Sequence, residues 1–245
     1  MTKVVGIIPA RWGSTRFPGK PVHGIAGKPL IQHVWERCTE AACFDQIIVA
    51  TDDMRIAEVG FGIGAEIALT SSDHRSGTDR IAEVAIKLEK ASVIFNIQGD
   101  EPLIDPLLLR RLAREFKKSK KLEIVTAATP ITPEAALNEN DVKVVFDSKG
   151  NALYFSRSRI PFRRGAGNAD FYKHLGIYGY RRKALLRFVK WGPSLLEQAE
   201  QLEQLRALEN GMKIRVIVSE SNSIGVDTPE DATKVERLIM SRRNE

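Results

Sequence analysis

The chain has 245 residues, of which 43% are hydrophobic, so it is long enough for one large α/β domain and too apolar for a disordered protein. Its formal net charge is +6, but the Lys and Arg residues are spread along the whole sequence without interleaved aromatic residues, which argues against a nucleic-acid partner and suits anionic small substrates. No apolar run approaches the ~20 residues of a membrane helix and a strand pattern begins at once, so we expect a cytoplasmic protein with no membrane insertion.

The first half of the chain alternates short apolar runs with amphipathic segments. Strands are predicted at Val4–Ile8, Gln46–Ala50, Ala65–Leu69, Val93–Ile97 and Ile124–Ala128. Helices are predicted at Leu30–Ala41, Arg55–Phe61 (with Asp53 as N-cap), Asp79–Lys90 and Pro106–Lys117. This alternation indicates βαβ units, and therefore an α/β fold with a doubly wound, mainly parallel sheet and helices on both faces.

The second half changes character. Strands are predicted at Val142–Phe146, Leu153–Ser156, Lys173–Tyr180 and Lys213–Val218, and helices at Arg181–Lys190, Ser194–Asn210 and Pro229–Arg242. The segment Arg159–Asp170 combines Pro, Gly and Arg residues, which predicts a mobile loop. No linker marks two independent parts, so we expect a single domain.

A basic loop with two glycines, Pro9–Pro21, follows the first predicted strand. Backbone N–H groups and fixed cations are what a polyphosphate needs, and ligands bind where the first strand of an α/β sheet ends. A P-loop is excluded, because Gly13 and Gly19 are too far apart and Pro21 replaces the hydroxyl residue that would bind Mg²⁺. The loop instead resembles the nucleotidyltransferase signature of sugar-nucleotide pyrophosphorylases, in which Lys and Arg hold a nucleoside triphosphate.

Two acidic motifs are candidates for a metal site. In Val93–Pro102 an apolar strand runs into Gln-Gly-Asp-Glu-Pro, which puts Asp100 at the carboxyl end of the strand, where a carboxylate can hold Mg²⁺. The alternative is that Asp100 and Glu101 only cap a turn. In Ile224–Asp231 the residue Asp227 precedes a helix, and it either caps that helix or provides a second carboxylate for Mg²⁺.

Three further segments carry polar candidates. Ser71–Arg80 combines small hydroxyl residues and a glycine ahead of a helix, a pattern that suits a pocket for a flat ring or a ribose; the alternative for Arg80 is an exposed position in the first turn of that helix. His174 and Tyr178 share one face of a predicted strand, and core packing is the simpler explanation for this pair. Glu203 and Gln204 lie on a predicted helix, where exposed helix formers are the usual case.

Motifs that span almost the whole chain point to one known family. They are Ile8–Arg11, Phe17–Pro21, Ser76–Arg80, Asn96–Pro102, Tyr154–Arg157, His174–Tyr180, Leu202–Arg206 and Gly225–Asp231. In this order they resemble the 3-deoxy-manno-octulosonate cytidylyltransferases, also called CMP-Kdo synthetases. The departures are mild, since Trp12 and Phe17 stand where the family pattern has Tyr and Leu, and the loop Arg159–Asp170 is shorter.

The resemblance implies a fold of the nucleotide-diphospho-sugar transferase kind with a small dimerisation excursion. A nucleotide-binding half would cover about residues 1–130, sugar-binding and dimerisation elements about 131–225, and a C-terminal helix about 228–243. It also implies that CTP and 3-deoxy-manno-octulosonate (Kdo) react to give CMP-Kdo and pyrophosphate, which activates the sugar for lipopolysaccharide synthesis. Mg²⁺ is the implied cofactor and a homodimer the implied assembly.

The functional residues of the family map onto this sequence position by position. Implied in catalysis are Arg11, Lys20, Asp100 and Asp227, of which Asp100 and Asp227 are also the implied ligands of Mg²⁺. Implied in nucleotide binding are Ala10, Arg11, Ser14, Lys20, Ser76, Gly77, Thr78 and Arg80. Implied in sugar binding are Gln98, Arg157, His174, Tyr178, Glu203 and Gln204.

Two other functions stay open at the level of sequence. A transferase for the 8-amino analogue of Kdo, or for another acidic sugar, would share the first loop and Asp100. A nucleotide-binding regulatory domain on the same fold would keep Arg11 and Lys20 but would need neither Asp100 nor Asp227. Trials of several nucleoside triphosphates with candidate sugars would separate these functions.

Overall fold

The computed structural model describes residues 2–13, 16–164, 169–220 and 224–243, with side chains as far as residue 241. The chain divides into two compact units: unit 1 is formed by residues 1–110 and 223–245, and unit 2 by residues 111–222. Within the described ranges, no helix combines the length and the apolar composition that crossing a lipid bilayer requires.

Strands and helices follow one another along the chain much as the sequence predicts. The strands are β1 (Val4–Ala10), β2 (Gly24–Ile25), β3 (Lys28–Pro29), β4 (Gln46–Thr51), β5 (Glu66–Leu69), β6 (Val93–Asn96), β7 (Ile124–Ile131), β8 (Lys143–Phe146), β9 (Ala152–Ser156), β10 (Phe171–Arg181) and β11 (Ile214–Val218). The α-helices are α1 (Leu30–Glu40), α2 (Met54–Gly62), α3 (Gly77–Lys87), α4 (Pro106–Lys118), α5 (Arg182–Phe188), α6 (Leu195–Glu200), α7 (Gln204–Glu209) and α8 (Pro229–Arg243). Short 3₁₀ helices lie at Lys20–Val22 and Ala135–Leu137.

Unit 1 is built around four parallel strands in the order β5-β4-β1-β6. The chain passes from β1 to β4 and β5 on one side of β1, and then returns through α3 to β6 on the other side. The strand order therefore reverses at β1. In open α/β sheets, this reversal opens a crevice beyond the carboxyl ends of the strands, where ligands bind.

A hydrophobic cluster fixes the C-terminal helix within unit 1. Phe17 from the first loop, Ile25 from β2 and Leu30 from α1 are buried together with Val226 and Val235 from the C-terminal segment. Burying large apolar side chains provides most of the stabilisation of such a contact, at ~25 cal/mol per Å² of apolar surface. Helix α8 is thus held against the loop that follows β1.

Unit 2 contains mixed strand pairing. Strand β7 pairs in parallel with β11 and antiparallel with β10, and β8 pairs antiparallel with both β9 and β10. A bulge lies between Leu175 and Tyr178 in β10. The register shifts by two residues there, so His174 and Tyr178 stay on the same face of the strand, as their spacing in the sequence predicts.

One predicted element is wrong. The segment Ser194–Asn210 was expected to form one helix, but it forms α6 and α7, with Gln201 between them in the left-handed region at φ 53°. A buried ion pair joins the two helices, because Arg206 Nε donates to Glu197 Oε2 at 2.7 Å and Arg206 Nη2 to Glu197 Oε1 at 2.5 Å. The break lets α7 fold back so that the two side chains meet. The ends of the other predicted elements shift by a few residues only.

Candidate active site

The carboxyl ends of β1 and β6 approach each other closely at the reversal of strand order. Gly99 follows β6, and a Cβ atom at this position would lie 2.9 Å from the Pro9 carbonyl oxygen, which is shorter than a van der Waals contact. Gly77, at the start of α3, also faces Pro9, and its Cβ would lie 3.2 Å from Pro9 Cγ. The two glycines let three chain segments meet at one point.

Replacing Gly99 by Ala tests this close approach. We expect a loss of stability of ~1–3 kcal/mol, because the added methyl group must displace backbone rather than a flexible side chain, and a lower activity because the Asp100 turn moves. Gly24→Ala is the matched control, since a Cβ at Gly24 meets no atom within 4 Å. Thermal unfolding and initial rates measure both variants. Equal melting temperatures for both variants would contradict the predicted clash.

The loop after β1 closes on itself and points a lysine inward. Gly19 adopts φ 69°, a left-handed conformation that glycine accepts without strain, and its N–H donates to the Trp12 carbonyl at 3.1 Å. A 3₁₀ helix starts directly afterwards at Lys20. Phe17, which is 8% exposed, anchors the loop in the hydrophobic cluster of unit 1.

Three distant parts of unit 1 meet at Lys20. Its ammonium nitrogen Nζ donates to Asp100 Oδ2 at 2.7 Å and to Asp227 Oδ1 at 3.3 Å. Arg16 Nη2 lies 3.1 Å from Asp227 Oδ2. The backbone joins the two acidic segments as well, since the Val226 N–H donates to the Asp100 carbonyl at 2.8 Å. The lysine of the first loop and both predicted metal ligands therefore form one cluster.

The side chain that caps α8 is Thr228 rather than Asp227. The Asp231 N–H donates to Thr228 Oγ1 at 3.3 Å, and the Thr228 N–H donates to Asp231 Oδ2 at 3.2 Å. This reciprocal pair satisfies the first turn of the helix. The carboxylate of Asp227 is thus left to face Lys20 and Arg16.

A cleft of about 380 Å³ opens around this cluster. It is lined by Pro9, Ala10, Arg11, Gly13, Arg16, Lys20, Pro21, His74, Arg75, Ser76, Gly77, Arg80, Gln98, Gly99, Asp100 and Asp227. Five of these side chains are Arg or Lys and two are Asp. The cleft has the size of a small-molecule site and an excess of positive charge, which suits an anionic ligand.

The carboxylates of Asp100 and Asp227 suit an Mg²⁺ ion whose other ligands come from the bound substrate. Asp100 and Asp227 point their oxygens at the same ammonium group, so both can reach one cation. Mg²⁺ prefers oxygen ligands, and it is commonly bound through one or two carboxylates while substrate phosphates complete its shell. Within the described ranges, no three His, Cys, Asp or Glu side chains cluster around a possible metal position.

The predicted nucleotide-binding residues fall mostly on this cleft. Ala10, Arg11, Lys20, Ser76, Gly77 and Arg80 line it. Thr78 is buried and is not among the lining residues; its hydroxyl accepts a hydrogen bond from Asn96 Nδ2 at 3.4 Å. Ser14 lies outside the described residues. Gln98, predicted to bind the sugar, also lines the cleft.

Arg157, a predicted sugar-binding residue, is held from several sides within unit 2. Its N–H donates to Glu200 Oε2 at 2.9 Å and its Nε donates to the Glu200 carbonyl at 3.0 Å. Its own carbonyl accepts from Lys143 Nζ at 2.5 Å, and this ammonium also donates to the Asn138 and Asp141 carbonyls. Burial lowers the pKa of Lys143. These contacts fix the backbone that carries the guanidinium.

His174 and Tyr178 pack together beside Thr126. The rings of His174 and Tyr178 are 5.3 Å apart, and His174 Nε2 lies 2.9 Å from Thr126 Oγ1. The Thr126 hydroxyl donates its single proton to the Ile177 carbonyl at 2.8 Å. In the contact between His174 and Thr126 the hydroxyl oxygen is therefore the acceptor, and His174 Nε2 is the donor. Packing around the imidazole lowers the pKa of His174, which keeps the ring neutral.

Glu203 and Gln204 stand at the start of α7 rather than within a longer helix. Both are half-buried, Glu203 as the residue before the helix and Gln204 as its first residue. Burial raises the pKa of Tyr178 well above its ordinary value, and the charges of Tyr180 and Glu203 add to this effect. Glu203 therefore lies close enough to act on Tyr178 electrostatically.

Sequence reasoning missed several residues of the cleft. Arg16 and Arg75 line it, as does His74, whose Nε2 lies 2.6 Å from Glu83 Oε2. The signal was present, because these residues lie in the two basic loops that precede the 3₁₀ helix at Lys20 and helix α3. Which of their side chains face the cleft depends on the folded path of each loop.

Known proteins are similar to this sequence over nearly its whole length. The family model described as Cytidylyltransferase matches residues 5–214. The 3-deoxy-manno-octulosonate cytidylyltransferase of Geobacter sulfurreducens is 48% identical over 244 residues, which cover 95% of this chain and 97% of that protein. This chain belongs to the 3-deoxy-manno-octulosonate cytidylyltransferase family. The resemblance inferred from the motifs is therefore confirmed.

A second similar protein and a solved structure support this family assignment. The protein of the same name from Syntrophobacter fumaroxidans is 50% identical over 238 residues, covering 95% of each chain. A solved structure of CMP:2-keto-3-deoxy-manno-octonic acid synthetase complexed with CTP matches with a TM-score of 0.95 at 42% identity, covering 98% of this chain and 100% of that one. The expected α/β nucleotidyltransferase fold is thus confirmed.

Proposed function

We propose that this chain is a cytidylyltransferase that joins the CMP group of CTP to Kdo and releases pyrophosphate. The observation that carries the proposal is the cluster of Lys20, Asp100 and Asp227 in a cationic cleft at the reversal of strand order. The named relatives, one of them solved with CTP, support this pair of substrates. The product, CMP-Kdo, would provide activated sugar for lipopolysaccharide synthesis.

The reaction moves negative charge, and the cleft supplies fixed positive charge. The anomeric hydroxyl of the sugar attacks the α-phosphorus of CTP in line with the departing pyrophosphate. Charge then develops on the phosphate oxygens, so orientation and preorganised cations account for most of the catalysis. Arg11, directly after β1, and Lys20, at the end of the loop that follows, provide these cations.

Asp100 and Asp227 would hold Mg²⁺, which supplies further positive charge to the triphosphate and lowers the pKa of a coordinated hydroxyl. On the sugar side, a guanidinium such as that of Arg157 suits the carboxylate of Kdo, because it can donate two parallel hydrogen bonds. The cytoplasmic location and the homodimer stay predictions from sequence.

Pyrophosphate release tests the proposal. With CTP, Kdo and Mg²⁺ present we expect steady turnover, and we expect none when either substrate is omitted or when excess chelator is added. UTP and GTP replace CTP in parallel assays, and 8-amino-Kdo replaces Kdo. Turnover without any sugar, or undiminished turnover in chelator, would overturn the proposal; faster turnover with 8-amino-Kdo would reassign the sugar.

A further inference from the structure

A buried arginine forms part of the wall of the cleft. Arg80 lies in the first turn of α3, is only 3% exposed, and lines the cleft. Its Nη1 donates to Thr70 Oγ1 at 2.5 Å, and its Nη2 lies 3.3 Å from Asp52 Oδ2. A guanidinium cannot lose its proton in a protein, so a buried one needs a partner of opposite charge. Asp52 is that partner.

The two groups that hold Arg80 belong to the rigid frame of the sheet. Asp52 directly follows β4 and Thr70 directly follows β5, two neighbouring parallel strands. The Thr70 N–H donates to the Thr51 carbonyl at 2.9 Å, which extends the pairing of these strands by one step. Asp52 as a whole residue is exposed, but its side chain is 19% exposed and that of Arg80 only 4%, so water reaches this ion pair from the Asp52 side alone.

We propose that Asp52 is a positioning residue for nucleotide binding, which acts by fixing the guanidinium of Arg80 in the wall of the cleft. This inference rests on the proposed function, because it takes CTP as the ligand that Arg80 contacts. The guanidinium of arginine carries five N–H groups in one plane. In Arg80, Nη1 contacts Thr70 and Nη2 contacts Asp52. The remaining N–H groups are then held in one orientation, toward acceptor atoms of a nucleotide.

The proposal is testable because it predicts that Asp52 variants bind CTP more weakly but Kdo as well as before. Without Asp52 the guanidinium loses its charged partner and its fixed orientation, so Asp52→Ala should raise both the KM and the calorimetric Kd for CTP about tenfold or more. The KM for Kdo should stay within about twofold of the wild-type value, because the loss falls on a nucleotide contact. Asp52→Asn keeps an acceptor oxygen without its charge, and a smaller increase in both constants for CTP is expected.

A double-mutant cycle separates positioning from a general structural role. If Asp52 acts through Arg80, adding Asp52→Asn to an Arg80→Met variant should change CTP affinity by less than about twofold. Glu36→Ala is the matched control, since Glu36 pairs with Lys28 at 2.8 Å in the same unit and neither residue lines the cleft. We expect wild-type constants for this control.

The outcomes distinguish this inference from the proposed function. If wild-type protein fails to bind CTP, the proposed function fails. If wild-type protein binds CTP and folded Asp52→Asn and Asp52→Ala bind it equally well, only the role of Asp52 is overturned. The same holds if Asp52 variants weaken CTP and Kdo equally, or lose the same affinity with and without Arg80. Should Asp52→Ala not fold, the isosteric Asp52→Asn carries the test.

Discussion

Asp227→Asn and Asp100→Asn should each lower turnover by roughly a hundredfold or more while leaving the melting temperature nearly unchanged. Asn keeps one oxygen but loses the negative charge that a hard dication requires. Asp227 is half-exposed, so its ion pairs with Lys20 and Arg16 contribute little to stability. Asp100 keeps its backbone contact to Val226 in the variant. Initial rates across a Mg²⁺ titration and thermal unfolding measure the two effects.

Thr228→Ala is the matched control for Asp227→Asn. The Thr228 hydroxyl caps α8, so its loss should cost about 1 kcal/mol of stability while turnover stays close to the wild-type rate. The two neighbouring residues should thus show opposite effects, one on chemistry and one on folding. Near wild-type turnover in Asp227→Asn would show that Asp100 alone holds the metal, and would favour a mechanism with one ion.

Lys20→Ala should lower kcat/KM for CTP by about a hundredfold or more, which corresponds to roughly 3 kcal/mol of transition-state stabilisation. The Lys20 side chain is 13% exposed and its ammonium contacts both carboxylates of the cluster. Its removal takes a fixed cation from the triphosphate and leaves Asp100 and Asp227 facing each other. Lys20→Met, which keeps the length of the side chain, separates the loss of charge from the loss of packing and should show a similar deficit.

Lys28→Ala provides the comparison for Lys20. Lys28 is a nearby lysine that also pairs with a carboxylate, that of Glu36 at 2.8 Å, but it does not line the cleft. We expect wild-type kinetics for Lys28→Ala in the pyrophosphate assay. A loss of less than about threefold in Lys20→Ala, or an equal loss in Lys28→Ala, would place Lys20 outside the reaction.

The pattern of residues along the chain predicts most of the secondary structure. Strand β1, helix α4 and strand β6 follow from local runs and periodic apolar positions, which act over a few residues. The N-cap Asp53 is confirmed, since its side chain accepts from the Arg55 N–H at 2.9 Å. The break at Gln201 escaped prediction because helical periodicity continues across it. The two helices are held together by contacts that the sequence pattern does not show, namely the buried pair of Glu197 and Arg206 and the hydrogen bonds from Ser194 and Leu196 to Glu209.

The sequence by itself determined the α/β class, the family and the two loops that carry the cleft, because these depend on short motifs and on their order. Only the tertiary structure decided which of those residues meet. Lys20 is 80 positions from Asp100 and 207 from Asp227, and the three converge because the cluster around Phe17 and Val226 fixes α8 against the first loop. Local sequence patterns do not show which distant segments pack together.

The same limit explains the roles that the sequence left open. Asp and Thr are both favourable N-cap residues, so the sequence alone does not decide whether Asp227 or Thr228 caps α8. Because Thr228 caps the helix in the structure, Asp227 faces the ligand site instead. Whether Arg80 is exposed or buried depends on Asp52 and Thr70, which come from the ends of two other strands. The role of a charged residue in a cleft depends on the side chains that lie next to it in space. The order of the strands in the folded sheet determines which side chains those are.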